Sequence, residues 1–128
     1  MAESDMAEAE QKVLVVEDSP EWLEKNTFAF EELGATVIGA ETVEEAIEAL
    51  KAGGFTHVVS DGLKGQWPQV VTAAKKAGVQ NITVLTIESV REVVERQKAT
   101  YVDKADFGAK RVNPEDILGS ESSPDKST

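Results

Sequence analysis

Val13-Leu14-Val15-Val16, running straight into Glu17-Asp18, is a short β-branched stretch that ends abruptly in two acids. The pattern recurs along the chain. His57-Val58-Val59-Ser60 runs into Asp61, Ile82-Thr83-Val84-Leu85 into Thr86, and Thr100-Tyr101-Val102-Asp103 into Lys104. Each stretch is apolar, rich in Val, Ile or Thr, and bounded by polar residues, the pattern of a strand in a parallel sheet. Ligands of open α/β sheets bind outside the carboxyl ends of the strands. The sequence therefore sets three carboxylates, a hydroxyl and an ammonium on one rim. That set suits a divalent cation and a phosphoryl group.

Helical patterns fill the gaps. Ser19-Pro20-Glu21 supplies an N-cap, a proline at the first helical position and an acid in the first turn. The helix is expected to reach Leu33, with Gly34 as its cap and Trp22, Leu23, Phe30 and Leu33 as its apolar stripe. Residues 36–39 read as a second strand. Thr42-Val43-Glu44-Glu45 is a capping box for a helix that Gly53-Gly54 ends. A third helix is expected over residues 68–77 and a fourth over 88–98. Asn113-Pro114 opens a last helix of about one turn, carrying only Ile117 and Leu118. Domain boundaries follow: a flexible acidic tail over 1–11, one domain over 12–118, and a flexible polar tail over 119–128.

The 128 residues match one domain, and 41% hydrophobic residues allow one sizeable core. Cysteine is absent, which removes disulfides, thiolate metal sites and cysteine nucleophiles. His57 is the single histidine, so a multi-histidine metal site is excluded; it reads as structural. No apolar run approaches the ~20 residues that span a bilayer, and residues 1–10 lack a signal-peptide pattern. A cytoplasmic protein is expected. The net charge of −11 disfavours nucleic acid and anionic membrane as partners.

From residue 12 to about residue 113 the chain resembles the receiver domain of response regulators in two-component signalling. The motifs are Val15-Val16-Glu17-Asp18, Val59-Ser60-Asp61, Leu85-Thr86 and Tyr101-Val102-Asp103-Lys104. The resemblance implies an α/β fold with a doubly wound five-stranded parallel sheet, order 2-1-3-4-5, and a shortened last helix. It also implies a phosphoryl group accepted on Asp61 from a histidine kinase or phosphotransfer protein, and altered binding of a downstream protein target. Such a chain is a signalling module, not an enzyme in the turnover sense.

A carboxylate such as Asp61 can form an acyl phosphate if the charges on the moving group are neutralised. Mg²⁺ is the implied cofactor. Asp18 and Asp61 are its direct ligands, Glu17 acts through water, and the Leu63 backbone carbonyl is a further ligand by the resemblance. Lys104 is expected to pair with Asp61 and then with the phosphoryl group, to which Thr86 donates its hydroxyl. Thr86 and Tyr101 form the implied switch. Plainer readings exist for each: Asp61-Gly62 is a turn dipeptide, Glu17-Asp18 suits a helix N-terminus, and a threonine in a strand is common. Trp67 is expected to flank or cover the site, and Trp22 to lie in the core.

The sequence departs from the family pattern in three places, at four positions. Lys64 and Gly65 stand where Met-Pro is usual, Ile87 where a small residue follows the threonine, and Ala105 where proline follows the lysine. These departures, with the short last helix, support an alternative: a phosphorylation-independent pseudo-receiver acting as a docking module. A dehalogenase-type phosphatase needs Asp-x-Asp, which Asp18-Ser19-Pro20 lacks. A flavin module lacks a phosphate cradle in the first loop. The sheet face beside Tyr101, thinly covered by Ile117 and Leu118, is the expected place for target docking or for a homodimer.

Overall fold

The computed structural model describes residues 11–87 and 90–119. Of the two tails expected from sequence, residues 1–10 and 120–128 lie outside the described residues. Five strands form one sheet: β1 (Lys12–Val16), β2 (Thr36–Ala40), β3 (His57–Asp61), β4 (Asn81–Thr86) and β5 (Thr100–Asp103). All pairs are parallel and the order is β2-β1-β3-β4-β5. The helices are α1 (Pro20–Glu31), α2 (Val43–Ala52), α3 (Trp67–Lys76), α4 (Arg91–Arg96), α5 (Lys104–Gly108) and α6 (Pro114–Leu118). Among the described residues no helix is long and apolar enough to cross a membrane.

Alternation along each central strand feeds two cores. Leu14, Val16 and Val58 face one side with Ala46, Leu50, Trp67, Val70 and Val94, contributed by α2, α3 and α4. Val13 and Val15 face the other with Phe30, Val59, Leu85, Phe107, Ile117 and Leu118, beneath α1, α5 and α6. Burial on both faces is why the central strands read as continuous apolar runs. β2 is an edge strand and mostly exposed.

Local chemistry sets the helix starts. Ser19 Oγ accepts from the Trp22 N–H, Thr42 Oγ1 accepts from the Glu45 N–H, and Asn113 and Asp116 form a reciprocal capping box. The first helix closes earlier than expected, at Glu31, and Gly34 takes a left-handed φ of 93° beyond it. Leu33 is consequently 41% exposed rather than part of the stripe. α4 spans only Arg91–Arg96; its expected start at Glu88 falls outside the described residues.

The C-terminal segment departs most from expectation. Sequence periodicity marks no element between Val102 and Asn113, yet α5 forms there. Asp103 caps it by accepting from the Ala105 N–H at 2.9 Å. Its Phe107 ring lies 6.3 Å from that of Phe30 at an interplanar angle of 30°. Together with Ile117 and Leu118, both buried, it adds cover to the face expected to be only thinly covered. What remains is a hollow of about 220 Å³ beside the amino ends of β4 and β5, bordered by Ile82, Val102, Val112 and Ile117.

A five-residue helix cannot persist by propensity alone, so its apolar anchor holds it. Phe107→Ala is expected to cost about 3 kcal/mol of unfolding free energy, the range for a buried aromatic. Phe28→Ala, at a site 61% exposed, should stay within about 0.5 kcal/mol. Urea unfolding followed by circular dichroism measures both, and equal effects would remove α5 from the core.

Candidate functional site

The register of the sheet brings the rim together. Val16 pairs with Ser60, Asp61 with Leu85, and Thr86 with Asp103. The residues immediately past β1, β4 and β5 therefore open onto one end of the sheet with Asp61. They line a cleft of about 340 Å³ formed by Glu17, Asp18, Asp61, Leu63, Thr86 and Lys104, with Trp22, Lys64 and Ile87 at its border. A larger hollow of about 540 Å³ lies along the outer face of α1. It is bordered by one helix and brings no residues of separate strands together, so the rim cleft is the candidate.

Lys104 is the centre of the charge arrangement. Its ammonium donates to Glu17 Oε1 at 2.9 Å, to Glu17 Oε2 at 3.1 Å and to Asp61 Oδ1 at 2.7 Å. Asp61 Oδ2 accepts from the Leu63 N–H at 2.9 Å. Glu17 is 1% exposed, whereas Asp18 is exposed. One carboxylate oxygen from each of Glu17, Asp18 and Asp61 lies within 4.8 Å of the others. Three carboxylates at that spacing repel one another, and a single ammonium does not neutralise them. Hard oxygen donors with surplus negative charge are the donor set that suits Mg²⁺, so these residues fit the implied ion.

The loop after Asp61 is held in an unusual shape. Leu63 and Lys64 have φ of 52° and 53°, and Gly65 follows at 94°. Left-handed non-glycine residues cost of order 1–3 kcal/mol each. The hydrogen bond to Asp61 and the Gly65 N–H donating to Gly62 O at 2.9 Å hold the turn in place. The Leu63 carbonyl, expected as a metal ligand, accepts the Gln66 N–H at 3.0 Å. A carbonyl oxygen keeps a second lone pair for a cation.

Thr86 is buried at the base of the cleft. Tyr101 lies outside it, half-buried against the α2, α3 and α4 core, with the Arg91 guanidinium 4.7 Å from its ring centre. Ile87 is 71% exposed at the border and does not fill the cleft. His57 is buried, with Nδ1 2.8 Å from Thr56 Oγ1 and no place in the cleft.

Trp22 packs half-buried against the core beneath α1, as expected, but also reaches the cleft, while Trp67 lies in the core and not over the site. Trp67 is 3% exposed and belongs to the core, because it opens α3 and turns inward. Trp22 borders the cleft, with its ring centre 4.6 Å from Lys104 Nζ. A helical signal for this existed. Trp22 stands four residues past Asp18, in the first turn of the helix whose start forms the cleft wall.

Burial pushes the Glu17 carboxyl above the ordinary carboxylate range, against the opposing hydrogen bond from Lys104. Burial lowers the Lys104 ammonium, but hydrogen bonds to Asp61 and Glu17 outweigh this and leave its pKa raised. The two directions have opposite meanings at neutral pH: Lys104 gains by being charged, and Glu17 loses. A raised carboxyl contributes stability that is present below its unfolded value and is lost as pH rises through the folded value. Glu17→Gln should therefore gain relative to wild type as pH rises from 4 to 8 in EDTA, read from paired urea melts. A difference that stays flat or reverses would mean that Glu17 is not held at a cost.

No protein-family model matches the sequence, and no curated protein matches it. Solved structures do. The chemotaxis protein CheY4 of Vibrio cholerae is 23% identical, with a TM-score of 0.69 over 89% of this chain and 98% of that one. A CheY-like receiver domain protein of Methanospirillum hungatei is 20% identical, with a TM-score of 0.70 over 91% and 94%. The response regulator TrrA of Thermotoga maritima, solved with Mg²⁺-BeF, is 24% identical, with a TM-score of 0.61 over 79% and 94%. Taken with the β2-β1-β3-β4-β5 sheet, these likenesses establish the architecture: the chain has the fold of a CheY-like response regulator receiver domain.

Proposed function

We propose that the chain is a phospho-acceptor receiver, taking a phosphoryl group on Asp61 from the phosphohistidine of a histidine kinase or phosphotransfer protein. The observation that carries this reading is the setting of Asp61. One of its oxygens accepts from the Lys104 ammonium and the other from a backbone N–H, beside Thr86 in the same cleft. A carboxylate held at both oxygens is oriented for attack, and phosphoryl transfer is mostly positioning and charge neutralisation.

In the proposed step, an Asp61 oxygen forms a bond to phosphorus as the P–N bond of the donor breaks. The electron pair leaves with the imidazole, and an acyl phosphate results. Lys104 then shares its protons with a phosphoryl oxygen, and Thr86 donates its hydroxyl to another. Asp18, Asp61 and the Leu63 carbonyl would hold Mg²⁺, with Glu17 acting through water. The ion, when bound, supplies charge neutralisation of the phosphoryl oxygens. Movement of Thr86 and Tyr101 toward the modified site would alter the surface of α4 and β5, and with it affinity for a protein target. The role is that of a stoichiometric acceptor. The acidic surface suits protein partners better than nucleic acid or anionic membrane.

Two measurements test this reading. Magnesium titration followed by NMR should show one site of modest affinity, with shifts at Asp18, Asp61 and Leu63. Asp18→Asn should weaken it at least several-fold, and silence of those signals would sink the metal assignment. Intact mass after incubation with acetyl phosphate and magnesium should show one added phosphoryl group in wild type and none in Asp61→Asn. If wild type gains none at any magnesium or donor concentration, the docking-module reading replaces this one.

A further inference from the structure

Trp22 borders the cleft and has no part in the proposed transfer. Its place is built from both ends. Ser19 Oγ accepts from the Trp22 N–H at 3.4 Å, and the Ser19 N–H donates to Glu17 Oε2 at 3.4 Å. The first turn of α1 is thus tied to the buried acid. The Trp22 ring centre lies 4.6 Å from Lys104 Nζ, inside the ~6 Å range of cation–π attraction. Lys104 consequently has carboxylates on one side and an indole on another, and its side chain is only 11% exposed. The far edge of the same ring abuts α5. A Cβ added at Gly108 would lie 3.2 Å from Trp22 Cη2, closer than most side chains tolerate. Both ends of α5, Lys104 and Gly108, therefore meet one indole.

We propose that Trp22 is the positioning residue of Lys104, its ring holding the ammonium against Glu17 and Asp61 and its edge tying α5 to the acidic centre. The ring acts in two ways. Its electron-rich face is a directional partner for a cation, and its bulk keeps water from competing for the ammonium protons. An aliphatic side chain of similar bulk reproduces only the second. The α5 contact adds a route by which a change in the Lys104 position would be felt at Gly108. Only the phosphoryl-uptake arm of the test rests on the function proposed above.

The test reads the Lys104 ammonium directly by lysine side-chain NMR at mildly acidic pH in EDTA, with the signal assigned by its loss in Lys104→Met. Wild type should show a slowly exchanging resonance displaced by the indole ring current. Trp22→Phe should keep much of that displacement. Trp22→Leu should lose it and exchange protons several-fold faster. Gly108→Ala should move the Lys104 resonance in wild type and leave it unmoved in Trp22→Leu. An unchanged resonance in Trp22→Leu overturns the proposal. Should that variant fail to fold, Gly108→Ala in wild type decides: displacement supports it and invariance overturns it. Uptake from acetyl phosphate should fall several-fold in Trp22→Leu and much less in Trp22→Phe, and equal uptake would show that holding Lys104 has no functional weight. If the resonances behave as expected while wild type takes up no phosphoryl group, the positioning role stands and the acceptor reading falls.

Discussion

One ammonium holds this end of the molecule together. Lys104 reaches both Glu17, just past β1, and Asp61, the last residue of β3, 87 and 43 residues away in sequence. β5 stands three places from β1 in the sheet, about 14 Å at the usual interstrand spacing. The contact exists because the chain turns at Asp103 into α5 and sends the lysine back over the ends of β4 and β3. Without that cation, Glu17 would be a buried carboxylate beside two others. Removing one partner from a buried pair costs far more than the pair contributes.

The rest of the architecture serves to keep that cluster in place. Two apolar layers fix the sheet from both faces, so the strand ends have little freedom. The loop after Asp61 is kept in left-handed geometry by hydrogen bonds that include the acid itself. α5 is short but anchored by Phe107 against Phe30. Three carboxylates against one ammonium leave surplus negative charge at the rim, which a cation would offset. Elsewhere the chain follows ordinary rules of capping and burial.

Where sequence reading worked, the signal was local. Val13–Val16 and His57–Ser60 are buried on both sides, so composition alone marks them as strands. Ser19, Thr42 and Asn113 announce helix starts because their side chains satisfy nearby N–H groups. Where it failed, the deciding partner was distant. Trp22 and Trp67 carry the same hydrophobic weight in sequence. Only the direction of α1 and α3 against the sheet places one between core and cleft and the other wholly in the core. α5 has too few residues for a periodic pattern, and its one anchor, Phe107, has meaning only opposite Phe30.

The sequence by itself determined the strands, their likeness to a receiver, and the placing of Glu17, Asp18, Asp61, Thr86 and Lys104 at strand ends. It could do so because burial and capping act over a few residues. The tertiary structure alone decided how those groups divide one positive charge. It also decided that the Leu63 carbonyl already accepts a hydrogen bond, and that an indole closes over the lysine. These depend on which strands become neighbours and on how far a side chain reaches across their ends, and no periodicity along the chain encodes that distance.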